Sequence, residues 1–67
     1  MAKLFKTRAD AITCNSDEAA RAWREAAKAQ KRGDAAAART WNEWAKDCDE
    51  TANRFAAGDY DDVITNP

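Results

Sequence analysis

Histidine is absent from this chain of 67 residues, proline occurs once, glycine twice, and the branched aliphatic side chains amount to one Leu, two Ile and one Val. Without histidine the commonest general base and transition-metal ligand is missing. Neither Cys14 nor Cys48 has a second Cys or a His at zinc-site spacing. No glycine-rich phosphate loop, Gly-x-Ser-x-Gly elbow or Walker pattern is present. These absences remove the usual catalytic constellations, so the chain is expected to be no enzyme and to use no cofactor or metal. The longest uninterrupted apolar run, Ala35 to Ala38, is four residues. That falls far short of the ~20 residues that span a bilayer and of the core of a signal peptide. A cytoplasmic protein with no membrane partner is therefore expected.

What the chain does contain is alanine, at 17 positions. Alanine is the best helix former, and it outnumbers Val, Ile and Thr together, which favour strands; the fold class is read as all-α. The length has room for a single helical domain, 1–67. Its core must be thin, and chains this short rely on tight helix packing, a disulfide or an oligomer. Reflection about a turn at Gly33-Asp34 leaves Cys14 and Cys48 offset by five residues, roughly 7 Å along a helix axis. That offset disfavours a bridge, and two buried, reduced thiols are expected.

Asn15 and Ser16 read as helix N-caps, and Asn15 with Glu18 has capping-box spacing. Asp17 and Glu18 then suit the positive end of the helix dipole, and Lys28, Lys31 and Arg32 the negative end. Gly33 supplies a left-handed terminator and Asp34 caps the next helix. The signals predict an antiparallel helical hairpin, about 16–32 and 35–57 within a segment 15–57, stopped by Gly58. On the second helix, Ala38, Trp41, Ala45, Cys48, Ala52 and Phe55 form an unbroken seam. On the first, Ala19, Ala22, Trp23, Ala26, Ala27 and Ala29 cover about half the circumference, wider than one partner helix needs. Reflection sets Ala26 against Trp41 and Trp23 level with Trp44, with large facing small at most levels. Residues 1–14 read as an arm in which Leu4, Phe5, Ala9 and Ile12 fit a short N-terminal helix packed on the hairpin. Residues 58–67 read as an acidic tail with one short turn, Tyr60 to Ile64, and a fraying end. Gly58-Asp59 also echoes Gly33-Asp34.

The stretch Lys31-Arg32-Gly33-Asp34-Ala35-Ala36-Ala37-Ala38, with Ala45 seven residues on, resembles the middle of a tetratricopeptide repeat over roughly residues 19 to 50. The resemblance implies a Gly-Asp turn between antiparallel helices, small residues at Ala38 and Ala45, and a surface that binds peptides or proteins. Asn42 stands where that family has an aromatic and Glu50 where it has a closing proline. Tandem copies are absent, and about three are normally needed for a stable stack.

Charge is nearly balanced overall but unevenly spread: residues 1–33 hold eight Lys/Arg and four Asp/Glu, residues 34–67 three and eight. The hairpin is expected to be an electrostatic dipole, its basic first helix neutralised by the acidic second. Glu43, Asp47 and Glu50 share one side of the second helix and are read as a solvated face. Asp59, Asp61 and Asp62 surround Tyr60 but lack the glycine and distal glutamate of a calcium loop. Arg21, Arg24, Lys28 and Lys31 share a basic face suited to phosphates. Trp44 falls about 70° from the centre of the second seam at ~100° per residue. Either Leu4 and Phe5 cover it or it anchors a partner, since Trp is enriched at interface hot spots.

The leading expectation is a small protein-binding module that masks or bridges a surface of a larger partner. Trp44, Asp47, Tyr60, Asp61 and Asp62 would make the contact, the acids steering it toward a basic surface. Its size and class suit a phage- or plasmid-encoded inhibitor of a host or defence complex, in the manner of an anti-CRISPR protein. The alternatives are a homodimer closing wide alanine faces into a four-helix bundle, and a nucleic-acid accessory using Arg21, Arg24, Lys28 and Lys31.

Overall fold

The two glycines divide the chain where a left-handed residue is required. Gly33 has φ 77° and Gly58 φ 87°, a region that costs other residues about 1–2 kcal/mol. At each, the glycine N–H donates to the carbonyl three residues back and the following aspartate N–H to the carbonyl five back: Gly33 to Gln30 at 3.0 Å and Asp34 to Ala29 at 2.9 Å, then Gly58 to Phe55 at 3.1 Å and Asp59 to Arg54 at 3.0 Å. The Gly-Asp echo is thus one helix-terminating motif used twice. Asp34 goes on to cap the next helix, its carboxylate accepting from the Ala37 N–H at 3.0 Å.

The computed structural model describes residues 3–67. In chain order these form β1 (Phe5–Thr7), α1 (Arg8–Lys31), α2 (Ala35–Ala57), a 3-10 turn (Asp61–Val63) and β2 (Ile64–Asn66). The helical hairpin is as the sequence predicts, with a short N-terminal arm. The arm is a strand, however, not a helix, and α1 starts at Arg8 instead of near Asn15-Ser16. Thr7 is its cap, with extended backbone and a hydroxyl that accepts from the Asp10 N–H at 3.1 Å. Asn15 lies inside the helix and donates its side-chain amide to the Ala11 carbonyl at 2.9 Å. Asn and Ser in a helix interior cost only about 0.7 kcal/mol each or less. Continuing the helix through them carries Ala11 and Ile12 into a hydrophobic core cluster with Phe55 and Ile64, which outweighs that cost.

That cluster gathers the two ends of the chain. β1 and β2 pair in parallel, Phe5 beside Ile64 and Thr7 beside Asn66, and the Leu4 N–H donates to the Val63 carbonyl at 2.8 Å. The tail therefore does not fray: Ile64 is the largest fully buried side chain among the described residues. It packs with Ala11 and Phe55, bordered by Phe5, Ile12 and Val63. The Phe55 ring meets Phe5 and Tyr60 edge-on, with centroids 5.4 and 5.1 Å away, the arrangement aromatic quadrupoles favour. Arg8 closes the clasp, one terminal nitrogen donating to both carboxylate oxygens of Asp61 at 3.0 Å.

Between the helices the packing is small against small. Ala19, Ala22, Ala26 and Ala29 of α1 are buried, as are Ala38, Ala45, Cys48 and Ala52 of α2. The seam on α2 follows the predicted spacing, but indoles do not nest in it. Trp41 is half-buried and Trp23 is 41% exposed. Alanine on alanine draws the axes too close to admit an indole, so Trp23 and Trp44 are displaced to the flanks. Among the described residues no helix covers the remaining face of α1, where Ala20 and Ala27 are exposed. Nor is any helix long and apolar enough to cross a membrane among the described residues.

Candidate functional site

A crossed pair of indole bonds straps the two helices together, one on each flank. Trp44 on α2 donates its indole N–H to Glu18 on α1 at 3.0 Å. Trp23 on α1 donates to Asp49 on α2 at 3.3 Å. At ~100° per residue these two straps lie on opposite flanks of the hairpin. The Trp44 strap is the elaborated one. Glu18 also accepts from Arg21, whose Nε donates at 3.1 Å, and the Arg21 guanidinium lies over the Trp41 ring, 5.3 Å from its centroid. A chain of contacts thus runs from Trp44 through Glu18 and Arg21 to Trp41, crossing from α2 to α1 and back. Hydrogen bonds from Arg21 and then Trp44 pull the Glu18 carboxyl down from 4.5 to about 2, because both stabilise its charged form.

Three shallow depressions line this flank and share their walls. The middle one, ≈ 360 Å³, lies between Cys14, Asn15 and Glu18 of α1 and Trp44, Asp47, Cys48 and Thr51 of α2. Toward the Gly33 turn it shares Glu18 and Trp44 with a second, ≈ 370 Å³, that reaches Thr40 and Trp41. Toward the clasp it shares Asn15 and Thr51 with a third, ≈ 410 Å³, walled by Leu4, Phe5, Phe55, Tyr60 and Val63. Together they make one groove between the helices. From Thr40 to Phe55 it runs roughly 22 Å at ~1.5 Å per residue.

Leu4 and Phe5 do not cover Trp44: Phe5 is held by Phe55 at the clasp, Leu4 is 70% exposed and Trp44 47%. Trp44, Asp47 and Tyr60 come together along the groove, but Asp61 is turned to Arg8. Asp62 is exposed and accepts the Lys3 ammonium through its main-chain carbonyl. The basic face of α1 is broken up within its own helix, Arg21 pairing with Glu18 and Lys28 with Glu25. That leaves Arg24 and Lys31 without an ion pair among the described residues, and no ion pair there joins α1 to α2. Glu50 of the acidic stripe pairs with Arg54, and no described group of three Asp, Glu or Cys side chains is placed to hold a metal. Cys48 is buried and its thiol is pushed up, first by burial and then by Glu18. Cys14 is free and exposed instead of buried.

Sequence reasoning missed Glu18, Thr51 and Val63 as groove residues. Glu18 was within reach: rotation at ~100° per residue sets it on the same flank as Trp44 once the hairpin is folded. Val63 was not, since its place depends on the strand pairing. No family model, curated protein or solved structure matches the chain.

Proposed function

We propose that the chain is a protein-binding module that masks or bridges a surface of a larger partner, and that the groove centred on Trp44 is its contact face. The observation that carries this reading is that Leu4, Trp44 and Tyr60, three of the four large apolar side chains exposed among the described residues, line one flank. Large apolar side chains exposed together on one flank of a small protein mark an interaction surface more than singly scattered ones do. Trp and Tyr are also the residues that dominate interface energetics. A rod of 44 × 19 × 14 Å can lie along a cleft of a larger complex, as a phage- or plasmid-encoded inhibitor of a host or defence assembly would.

Trp23, exposed on the opposite flank, provides the internal control. Wild type, Trp44→Ala and Trp23→Ala would be used as baits in extract of the encoding cell, and the captured partner purified and titrated against each. Trp44→Ala should weaken binding about 30-fold, equivalent to a hot spot of ~2 kcal/mol, with circular dichroism unchanged. Trp23→Ala should leave affinity within about twofold, the near-neutral behaviour of a residue outside the interface. The reverse order would refute this contact face.

A further inference from the structure

We infer that the groove receives a single amphipathic α-helix of the partner, about 15 residues long at ~1.5 Å per residue, with Lys or Arg on both sides of its apolar stripe. This rests on the reading of the Trp44 flank as the contact face and specifies what that face takes.

Along the first two depressions the walls are two side-by-side helices whose main-chain groups are bonded internally, so over that length they offer little to the unpaired N–H and C=O groups of an extended peptide. Burying those groups without partners is costly. A helix arrives with its main chain satisfied and matches the valley between two others at the usual ~8–10 Å axis spacing. Its stripe would meet Trp41, Trp44, Phe55, Tyr60 and Leu4 in succession.

The rims specify charge. Asp47 stands on the α2 wall, exposed and with no ion pair among the described residues. On the α1 side, Asp10 lies outward of Cys14, about 40° round the helix at ~100° per residue; it is exposed and not ion-paired among the described residues. The basic residues near the groove are already engaged: Arg21 by Glu18 and Trp41, Lys28 by Glu25 and Arg54 by Glu50. Carboxylates therefore line both edges of an apolar floor, complementary to a helix with basic edges.

A second copy fits less well. Dimers are mostly two-fold, each patch meeting itself. An axis through the middle of the groove would set Asp47 and Glu18 near their own images, gathering like charge. A nucleic-acid backbone is disfavoured by the same carboxylates.

The probes are three 18-residue peptides: a Leu/Lys amphipathic helix, its Leu/Glu counterpart, and a scrambled Leu/Lys peptide with no stripe. Each would be titrated into the 15N-labelled full chain. The Leu/Lys helix should shift the Trp44 indole and the amides of Thr51, Phe55 and Tyr60, and leave the Trp23 indole in place. The other two peptides should bind at least tenfold more weakly, and the double variant Asp10→Asn/Asp47→Asn should reduce the Leu/Lys affinity severalfold. Equal binding of the Leu/Glu or scrambled peptide, shifts on the Trp23 flank, or a dimer whose self-association maps to the groove would overturn the inference. If the Leu/Lys helix fails while the purified natural partner still depends on Trp44, the helical occupant is wrong and the contact face stands. If the natural partner is indifferent to Trp44, the contact face itself falls.

Discussion

Glu18 is the residue on which the exposed strap depends, because one carboxylate serves an indole N–H and a guanidinium at once. Both donors favour the ionised form, so the folded carboxyl titrates at about 2 instead of 4.5. A group whose folded value is depressed contributes fully above its unfolded value and loses that contribution as pH falls through the folded one. The strap should therefore be intact at neutral pH, begin to weaken below about 4.5 and be half lost near 2. The indole N–H resonance of Trp44 should titrate with that low midpoint, while in Glu18→Gln it should show no such step. A midpoint at the ordinary glutamate value, ~4.3, would mean that the strap does not form in solution. Trp44 illustrates what residue-level reading reaches. Its rotation off the α2 seam follows from spacing alone, but its exposure depends on Phe5 being claimed by Phe55, which no local pattern announces.

The two helix-ending glycines share backbone geometry and differ in surroundings, which makes them a test of the clasp as an element. A Cβ on Gly33 would meet nothing within 4 Å, whereas one on Gly58 would lie 3.4 Å from an Asp61 carboxylate oxygen and 3.8 Å from Arg8 Nη2. Gly33→Ala should cost only the left-handed strain, about 1–2 kcal/mol. Gly58→Ala should cost the same strain and leave the Arg8–Asp61 pair in place, because both atoms stand at ordinary van der Waals distance from the new methyl group, so the two melting temperatures should fall alike. A clearly lower melting temperature for Gly58→Ala would show that the methyl group disturbs the ion pair, an exposed one worth up to ~1 kcal/mol. The glycines, and the hairpin they define, were legible because their signals are local: Gly-Asp follows a basic last turn and precedes an alanine run. Two other elements were hidden for opposite reasons. Asn15-Ser16-Asp17-Glu18 imitates a helix start, yet Ala11 and Ile12 pull the helix through it toward Phe55. The strands have three residues each, too few to show alternation, and they pair across nearly the whole chain, so only the fold itself joins Phe5 to Ile64.

Seen whole, the rod is asymmetric along its length in both charge and core. Residues 21–44, the half bearing the Gly33 turn, carry six basic and three acidic side chains; the rest carries five and nine. The dipole thus runs along the hairpin and not from one helix to the other, because α1 mixes acids with its bases and the tail carries Asp59, Asp61 and Asp62. The core is lopsided in the same sense. Phe55, Ile64 and Ala11 sit at the clasp end with Phe5, Ile12 and Val63 around them, while the turn end is closed by Ala26, Ala29 and Ala38. Apolar burial stabilises at roughly 25 cal/mol per Å², so the alanine end has much less holding it. Local opening energies should follow that gradient. In native-state hydrogen exchange, amides of residues 26–40 should open at lower free energy than those of 11–19 and 50–56, although the turn end is the part most strongly specified by local sequence. Ile64→Ala should lower the slowest-exchanging class by about 2–5 kcal/mol and move the turn-end amides much less. Uniform protection along both helices would mean that the alanine seam is as strong as the clasp, and the groove between them would then be rigid from end to end.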